Sequence, residues 1–395
     1  MYYETIYEPA EDSFMMEKLL KEKLQQTKTL KITEVGVGSG FVFSELVKTF
    51  PENNFSATDI NPDAITSTQK RLKNNNVNAK LHQGNLLEPI TKKQDMLFFN
   101  TPYLPLEHGE KYNQLTLKDK AIYGGKHGYE IIFKFIDQIY DKLEKNGKVF
   151  MLFSSLSKEQ KIKEKLEQEG YEINKIYKEK HFMEELIIYE FSKGEILKEL
   201  EKNNISNLKY LTKGKHSIIY EGEYKNNEVI CKTSQTHFTD KESLFLQKLQ
   251  NKNYVPKLYY STNQIQIMEK CQGKIIKDFL ENSTKEETLK VLQQCLDICY
   301  ELDELGYQKF ELTNPYKHIF IGNKLQVKFI DFERTIHSQD PKNVTQFLQY
   351  IRRNIPLLKR KEIYINPDEL LKNANKYKKD KQKIEMEALV SISFK

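Results

Sequence analysis

The sequence predicts two folded domains in series: an α/β domain built on a doubly wound, mostly parallel sheet, then a smaller α+β domain. Three observations lead there. Residues 30–192 alternate short apolar runs with amphipathic stretches, a βαβα rhythm that packs helices on both faces of a parallel sheet. After Ser192-Lys193-Gly194 the rhythm gives way to an amphipathic helix and a hairpin-like region. The chain of 395 residues is also too long for one domain of ordinary size.

The elements follow in order. Residues 30–35 read as a strand, 40–50 as a helix, 54–58 as a strand and 62–74 as a helix. Residues 95–99 form the next strand, 131–143 a helix, 148–153 a strand, 158–169 a helix and 186–191 a closing strand. In the second domain 195–202 reads as a helix, with strands at 220–224 and 229–232 around Asn226-Asn227. A boundary near Lys193 gives domains over 1–193 and 194–370, with a basic, helical or loose C-terminal tail over 371–395.

Composition excludes several classes. Hydrophobic residues are 38% and charged residues 30%, with 23 Tyr and 22 Phe available for cores, a globular balance. No apolar run approaches the roughly 18 residues a membrane-spanning helix needs, and the N-terminus carries no secretion-type leader. Cys231, Cys271, Cys295 and Cys299 form no C-x-x-C pair and read as reduced thiols of a cytoplasmic protein. Residues 1–193 carry a net charge of −1, the remainder +7, and +6 of that lies in residues 352–395. A near-neutral first domain lacks the footprint of a nucleic-acid binder. The basic tail offers at most a weak RNA contact, and a solvated Lys-rich tail is the plainer reading.

In doubly wound sheets ligands bind at the carboxyl ends of the strands, and the informative motifs all fall there. Glu34-Val35-Gly36-Val37-Gly38-Ser39-Gly40 ends a strand and opens a helix; its glycines permit a sharp turn and close backbone approach to a ligand. Asp59 ends the next strand, 19 residues after Gly40, where a carboxylate accepts hydrogen bonds from ribose hydroxyls. A helix cap before Pro62 is its plain structural alternative. Asn85, followed by Leu86, ends the third strand and carries an amide able to meet an adenine amine. The fourth strand ends Asn100-Thr101-Pro102-Tyr103. An amide nitrogen is a poor nucleophile, so methylating one requires gripping both of its hydrogens beside an activated methyl. The Asn100 oxygen and a neighbouring backbone carbonyl supply that grip, and Tyr103 can stack on the amide plane.

These pieces, with Tyr7-Glu8-Pro9-Ala10-Glu11-Asp12-Ser13, Tyr123-Gly124-Gly125-Lys126-His127-Gly128 and Phe182-Met183-Glu184-Glu185-Leu186, resemble the HemK/PrmC-like N5-glutamine methyltransferases in their short archaeal and eukaryotic branch. The resemblance implies a Rossmann-like class I methyltransferase using S-adenosylmethionine. It implies as acceptor the glutamine in the Gly-Gly-Gln loop of a class I release factor, and a small zinc-binding activator subunit as partner. It implies catalysis by Asn100, an acceptor slot shaped by Tyr103, and Pro9 and Glu11 in a loop over the donor. It implies no metal in this domain. Two positions depart from the family: Thr101 stands where proline is usual, still held extended by Pro102, and Asn85 where aspartate is usual. The rival is an adenine methyltransferase of nucleic acid, which uses a similar slot on a flipped base; the net charge of −1 counts against it.

In the second half, residues 210–223, Val229-Ile230-Cys231-Lys232, Lys241-Glu242-Ser243, Ile267-Met268-Glu269-Lys270 and Phe329-Ile330-Asp331-Phe332-Glu333-Arg334 resemble a small RIO-like kinase fold. The resemblance is to a group of predicted archaeal Ser/Thr protein kinases. It implies Lys232 on ATP phosphates and paired with Glu242, and Asp331 on Mg²⁺. Thr313 and His318 occupy the usual catalytic Asp and Asn positions; neither suits the usual chemistry, and Glu311 or Lys317 is the available substitute. An ATP-dependent kinase and a non-catalytic docking module therefore stand side by side for this half.

Overall fold

The computed structural model describes residues 6–25, 29–107, 111–181, 183–214, 217–234 and 241–390. Of the segments singled out above, Phe182, residues 215–216 and residues 391–395 of the tail lie outside that set. The chain divides into two compact units. One ends at Gly214 and adds Ile218–Asn226; the other runs from Asn227 onward.

The first unit is a seven-stranded sheet. Its strands are β1 (Lys31–Val35), β2 (Asn54–Asp59), β3 (Lys80–Gln83), β4 (Gln94–Asn100), β5 (Leu143–Ser154), β6 (Tyr171–Lys180) and β7 (Glu185–Lys193). Their spatial order is β3-β2-β1-β4-β5-β7-β6. β1 to β5 pair in parallel, and β7 runs antiparallel between β5 and β6. The central strands are continuous apolar runs because both faces are covered: Met96 to Phe99 and Val149 to Phe153 are all buried. Helices α1 (Glu11–Leu24), α2 (Phe41–Thr49), α3 (Pro62–Asn74), α4 (Glu130–Ile139) and α5 (Glu159–Glu169) flank it. α4 buries Ile132, Phe135, Ile136 and Ile139, the stripe of an amphipathic helix on a sheet. α3 starts where Asn61 accepts from the Asp63 amide at 3.0 Å, with Pro62 in the first turn.

Elements α1 and β6 of this unit are among those with no counterpart in the predicted set. α1 lies before the glycine loop, yet Met16, Leu20 and Leu24 form its buried stripe. β6 is an edge strand that buries only Tyr171. Its charged residues blunt the open edge and erase the period-two pattern a half-buried strand shows.

The unit boundary also differs from Lys193. Helix α6 (Glu195–Lys202) buries Leu197 and Leu200, and strands β8 (Ser206–Lys213) and β9 (Ile218–Tyr224) pair antiparallel. The Tyr220 hydroxyl donates to the Gln168 carbonyl at 3.0 Å and that of Tyr140 to the Ile205 carbonyl at 3.1 Å. Burial of these residues against α4 and α5 keeps them in the first unit.

The second unit holds an antiparallel set, β10 (Asn227–Thr233), β11 (Leu258–Ser261) and β12 (Ile265–Glu269), with β12 central, and helix α7 (Lys241–Lys248). Helices α8 (Ile276–Asn282), α9 (Lys285–Glu304), α10 (Asn343–Arg353), α11 (Ile355–Arg360) and α12 (Pro367–Asp380) follow. α9 opens on a reciprocal capping box between Thr284 and Glu287 and buries Cys295 and Cys299 as free thiols. Of the two readings of the tail, helical or loose, the helical one fits Pro367–Asp380. Tyr377, Met386 and Leu389 belong to the same core as α9 and α10. No helix among the described residues is long and apolar enough to cross a membrane.

Candidate active site

A cavity of about 360 Å³ opens at the carboxyl ends of β1, β2 and β4. Glu34, Gly36, Gly38, Asp59, Asn85, Leu86, Asn100, Thr101, Pro102 and Tyr103 all line it. Parallel pairing of β1 with both β2 and β4 brings the three strand ends side by side.

The turn after β1 puts the Gly38 amide 2.9 Å from Asp59 Oδ2, while Asp59 Oδ1 accepts from the Asn61 amide at 2.8 Å. Burial pushes the Asp59 carboxyl up and the loop amides pull it back, leaving it above the ordinary aspartate value. Glu34 is 4% exposed, and its Oε2 is buried without a hydrogen-bond partner. Burial, then the charge of Asp59, lifts its carboxyl well above the ordinary range. Asn85 donates to Glu88 Oε1 at 2.8 Å, which fixes its amide plane at the rim; Leu86 beside it adopts φ +49°.

Three predicted donor-site residues do not line the cavity. Gly40 caps α2 at φ +73°, and a Cβ there would lie 2.5 Å from Thr68 Oγ1; its role is to let α2 pack on α3. Pro9 and Glu11 sit just outside. Because α1 begins at Glu11, it turns Asp12 and Ser13 inward and leaves Glu11 exposed. Tyr7, Asp12 and Ser13 line the cavity in their place.

At the end of β4 the Asn100 Oδ1 atom is buried and unpartnered. Thr101 is anchored twice to one carbonyl: its amide donates to Leu152 O at 3.1 Å and its hydroxyl at 2.7 Å. The hydroxyl bond is one that proline at this position cannot make. The Tyr103 carbonyl accepts from Ser157 Oγ at 2.7 Å. Gly128, at φ +84°, passes so near that a Cβ would collide with this carbonyl, which explains the glycines of residues 123–128. Burial, then Asp12, Glu184 and Tyr7, hold the proton on the Tyr103 hydroxyl. Tyr7, Asp12 and Glu184 had no assigned role in the sequence, although each lies in a quoted motif; Tyr112, also on the cavity wall, lies in none.

In the second unit Lys232, Glu242 and Asp331 converge. Lys232 Nζ lies 2.8 Å from Glu242 Oε2 and 3.1 Å from Glu333 Oε2. Burial works against its charge, but the two carboxylates more than offset it, and the ammonium sits above its ordinary value. Glu242 Oε1 accepts from the Phe332 amide at 3.1 Å. Asp331, at φ +63°, lies 3.5 Å from His318 Nδ1, and its carbonyl accepts from the buried Lys309. Thr313 ends a short 3₁₀ turn whose carbonyl accepts from Arg353 at 3.1 Å, and Glu311 Oε2 is buried without a hydrogen-bond partner. No group of three or more metal-ligating side chains occurs among the described residues of either unit.

Strand order and a strand-end cavity ending in Asn-Thr-Pro-Tyr define the first unit as a class I methyltransferase fold. The family model described as "Methyltransferase small domain" matches residues 15–119. A putative protein N5-glutamine methyltransferase of Methanocaldococcus jannaschii is 36% identical over 46% of this chain and 89% of its own length. The eRF1 methyltransferase catalytic subunit mtq2 of Schizosaccharomyces pombe is 30% identical over 47% of this chain and 88% of its own. Among solved structures, the E. cuniculi Mtq2-Trm112 complex, responsible for methylation of the eRF1 termination factor, is similar at 24% identity and TM-score 0.38, over 48% of this chain and 99% of that one. The chain belongs to the family of protein N5-glutamine methyltransferases, and its first unit is the part that does.

Donor chemistry fits the cavity. S-adenosylmethionine presents an ammonium, a ribose diol and an adenine. The unpartnered Glu34 oxygen suits the ammonium, the Asp59 carboxylate the diol, and Asn85 with Leu86 the adenine edge.

Proposed function

We propose that this enzyme methylates the side-chain nitrogen of the glutamine in the Gly-Gly-Gln loop of a class I peptide release factor, with a small zinc-binding protein of the Trm112 kind as activator. The observation that carries the acceptor chemistry is the buried, unpartnered Asn100 oxygen beside Tyr103. A carboxamide nitrogen needs its two hydrogens held so that its lone pair points at the methyl carbon. Asn100 Oδ1 accepts one, and a backbone carbonyl at Thr101 or Pro102 takes the other. Tyr103 covers the amide plane, its hydroxyl kept neutral by burial and neighbouring acids. The bound donor supplies an electrophilic methyl on a sulfonium. The chain's residues orient the acceptor nitrogen; the proton that this nitrogen sheds as its bond to the methyl carbon forms is released to solvent, since neither Asn100 nor a backbone carbonyl is a base able to keep it.

Support for the acceptor comes from the kinship with the fission yeast eRF1 methyltransferase catalytic subunit, and support for glutamine N5 as the methylated atom from the archaeal relative. The cytoplasm, where termination proceeds, is the compartment this activity requires. The test is mass spectrometry of a release factor incubated with the chain, S-adenosylmethionine and a candidate activator. A gain of one methyl on the Gly-Gly-Gln glutamine supports the assignment; transfer to an oligonucleotide instead overturns it.

For the second unit a kinase-like, Mg-ATP-binding function is favoured by one arrangement. Lys232 and the Phe332 amide are held by the two oxygens of Glu242, which brings the chain neighbour Asp331 toward the same carboxylate. Lys232 would meet phosphates and Asp331 the Mg²⁺ ion. Glu311, whose Oε2 lies 3.7 Å from the Lys309 ammonium and accepts no hydrogen bond among the described residues, is the group that would take the acceptor proton. Calorimetry with Mg-ATP on wild type and Asp331→Ala tests binding. Turnover would make the unit a kinase, and tight binding without turnover a docking module.

A further inference from the structure

Resting on the assignment of the first unit as a protein glutamine methyltransferase, we propose that Glu184 grips the acceptor polypeptide. Its carboxylate accepts a hydrogen bond from a main-chain N–H of the segment that carries the glutamine. Glu184 lies in the turn between β6 and β7, where its carbonyl accepts from the His181 amide at 2.9 Å. That turn delivers the side chain to the wall of the cavity that Asn100 and Tyr103 also line. Its charge reaches the hydroxyls of both Tyr7 and Tyr103, so it sits at the acceptor slot.

The Glu184 Oε2 atom is buried and has no hydrogen-bond partner among the described residues. An unpaired buried carboxylate oxygen is costly to fold around, and native structures keep few of them without a use. The carboxamide oxygen Asn100 Oδ1 is unpartnered in the same cavity, as is Glu34 Oε2, which suits the donor ammonium. Asn100 and a strand-end carbonyl already account for both hydrogens of the carboxamide. Glu184 is therefore left for a third N–H, and a polypeptide supplies one beside every side chain. A nucleic acid strand supplies phosphate anions instead. Glu184 and the buried Asp12 on the same wall repel those, so this acidic side of the slot selects peptide over nucleic acid.

Glu184 is thus a specificity and positioning residue, not a group that exchanges protons with the substrate. The experiment is steady-state methyl transfer to a release-factor domain by the full chain, activator supplied throughout, comparing wild type with Glu184→Ala and the isosteric Glu184→Gln. Glu184→Ala should raise KM for the polypeptide by about tenfold or more, and Glu184→Gln, which keeps an oxygen, by about threefold. In both, kcat and the Kd for S-adenosylmethionine should stay within about twofold of wild type. Unchanged KM in Glu184→Ala would overturn the proposal, as would donor affinity and melting temperature falling in step with KM. If the wild type itself methylates oligonucleotide and no polypeptide, the parent assignment falls. If the wild type is active and both variants match it, Glu184's role alone falls.

Discussion

Glu34 and Asp59 end adjacent parallel strands, and the charge of Asp59, added to burial, keeps a proton on Glu34 above its ordinary value of 4.5. Without a bound cation this is an unfavourable place for a carboxylate. The folded state holds the proton to higher pH than the unfolded state does. Folding stability from this group is therefore full below about pH 4.5 and declines as pH rises through the lifted folded value. Glu34→Gln should stabilise the donor-free protein near pH 8, with the gain vanishing toward pH 4.5. The same variant should weaken S-adenosylmethionine binding about tenfold through loss of a charged partner. Thermal unfolding across that pH range, with and without donor, checks both; a uniform destabilisation would show that Glu34 is structural.

Asn100 and Asp59 line one cavity yet should fail in opposite ways. Asn100→Ala leaves the donor pocket intact and removes the grip on the acceptor amide. It should lower kcat by about 10³-fold or more with donor Kd unchanged. Asp59→Ala removes the partner of the ribose diol and should raise donor Kd by about 10–100-fold. Calorimetric titration of donor beside single-turnover methyl transfer separates the two.

Both residues are legible in the amino-acid sequence, as is most of the first unit's sheet. β4 is an apolar run ending in a polar residue, and Asp59 and Asn100 stand at strand ends where the buried stretches 55–58 and 96–99 give way to partly exposed positions. What stays hidden has other causes. β6 shows no period because its edge position exposes most of it. Asp12 and Glu184 carry no local signal, since their function depends on a helix start and a hairpin turn far apart in sequence meeting at one wall. The glycine pattern assigns Gly40 to the donor site, but its backbone conformation serves the contact between α2 and α3. Charge alone leaves the tail helical or loose, since charge describes only the outward face of a helix.

Thr101, where the family resemblance leads one to expect proline, uses its hydroxyl to bind Leu152 O. Thr101→Val removes that hydroxyl and keeps the shape and the amide bond to the same carbonyl. It should cost about 1 kcal/mol of stability in the first unit while methyl transfer changes little. Denaturant unfolding followed by a probe within the first unit measures it. A large loss of activity would mean that the hydroxyl, rather than the backbone, serves the acceptor slot.

Tyr377 joins the C-terminal segment to the second unit's core through one bond: its hydroxyl donates to Asp303 Oδ2 at 2.8 Å. The other Asp303 oxygen takes the amide and side-chain nitrogens of Asn343 at 2.9 and 2.7 Å. Burial pushes the Asp303 carboxyl up, and these donors oppose it. Tyr377→Phe leaves the ring in the core and deletes one bond to a buried carboxylate, which should cost about 1.5–3 kcal/mol. Truncation after Asn366 should do far more, because it removes Leu370, Tyr377, Met386 and Leu389 from one continuous core. The second unit should then become protease-sensitive while the first still binds donor. A loose tail would make that truncation neutral, so limited proteolysis of the truncated chain decides between a tail and a core element.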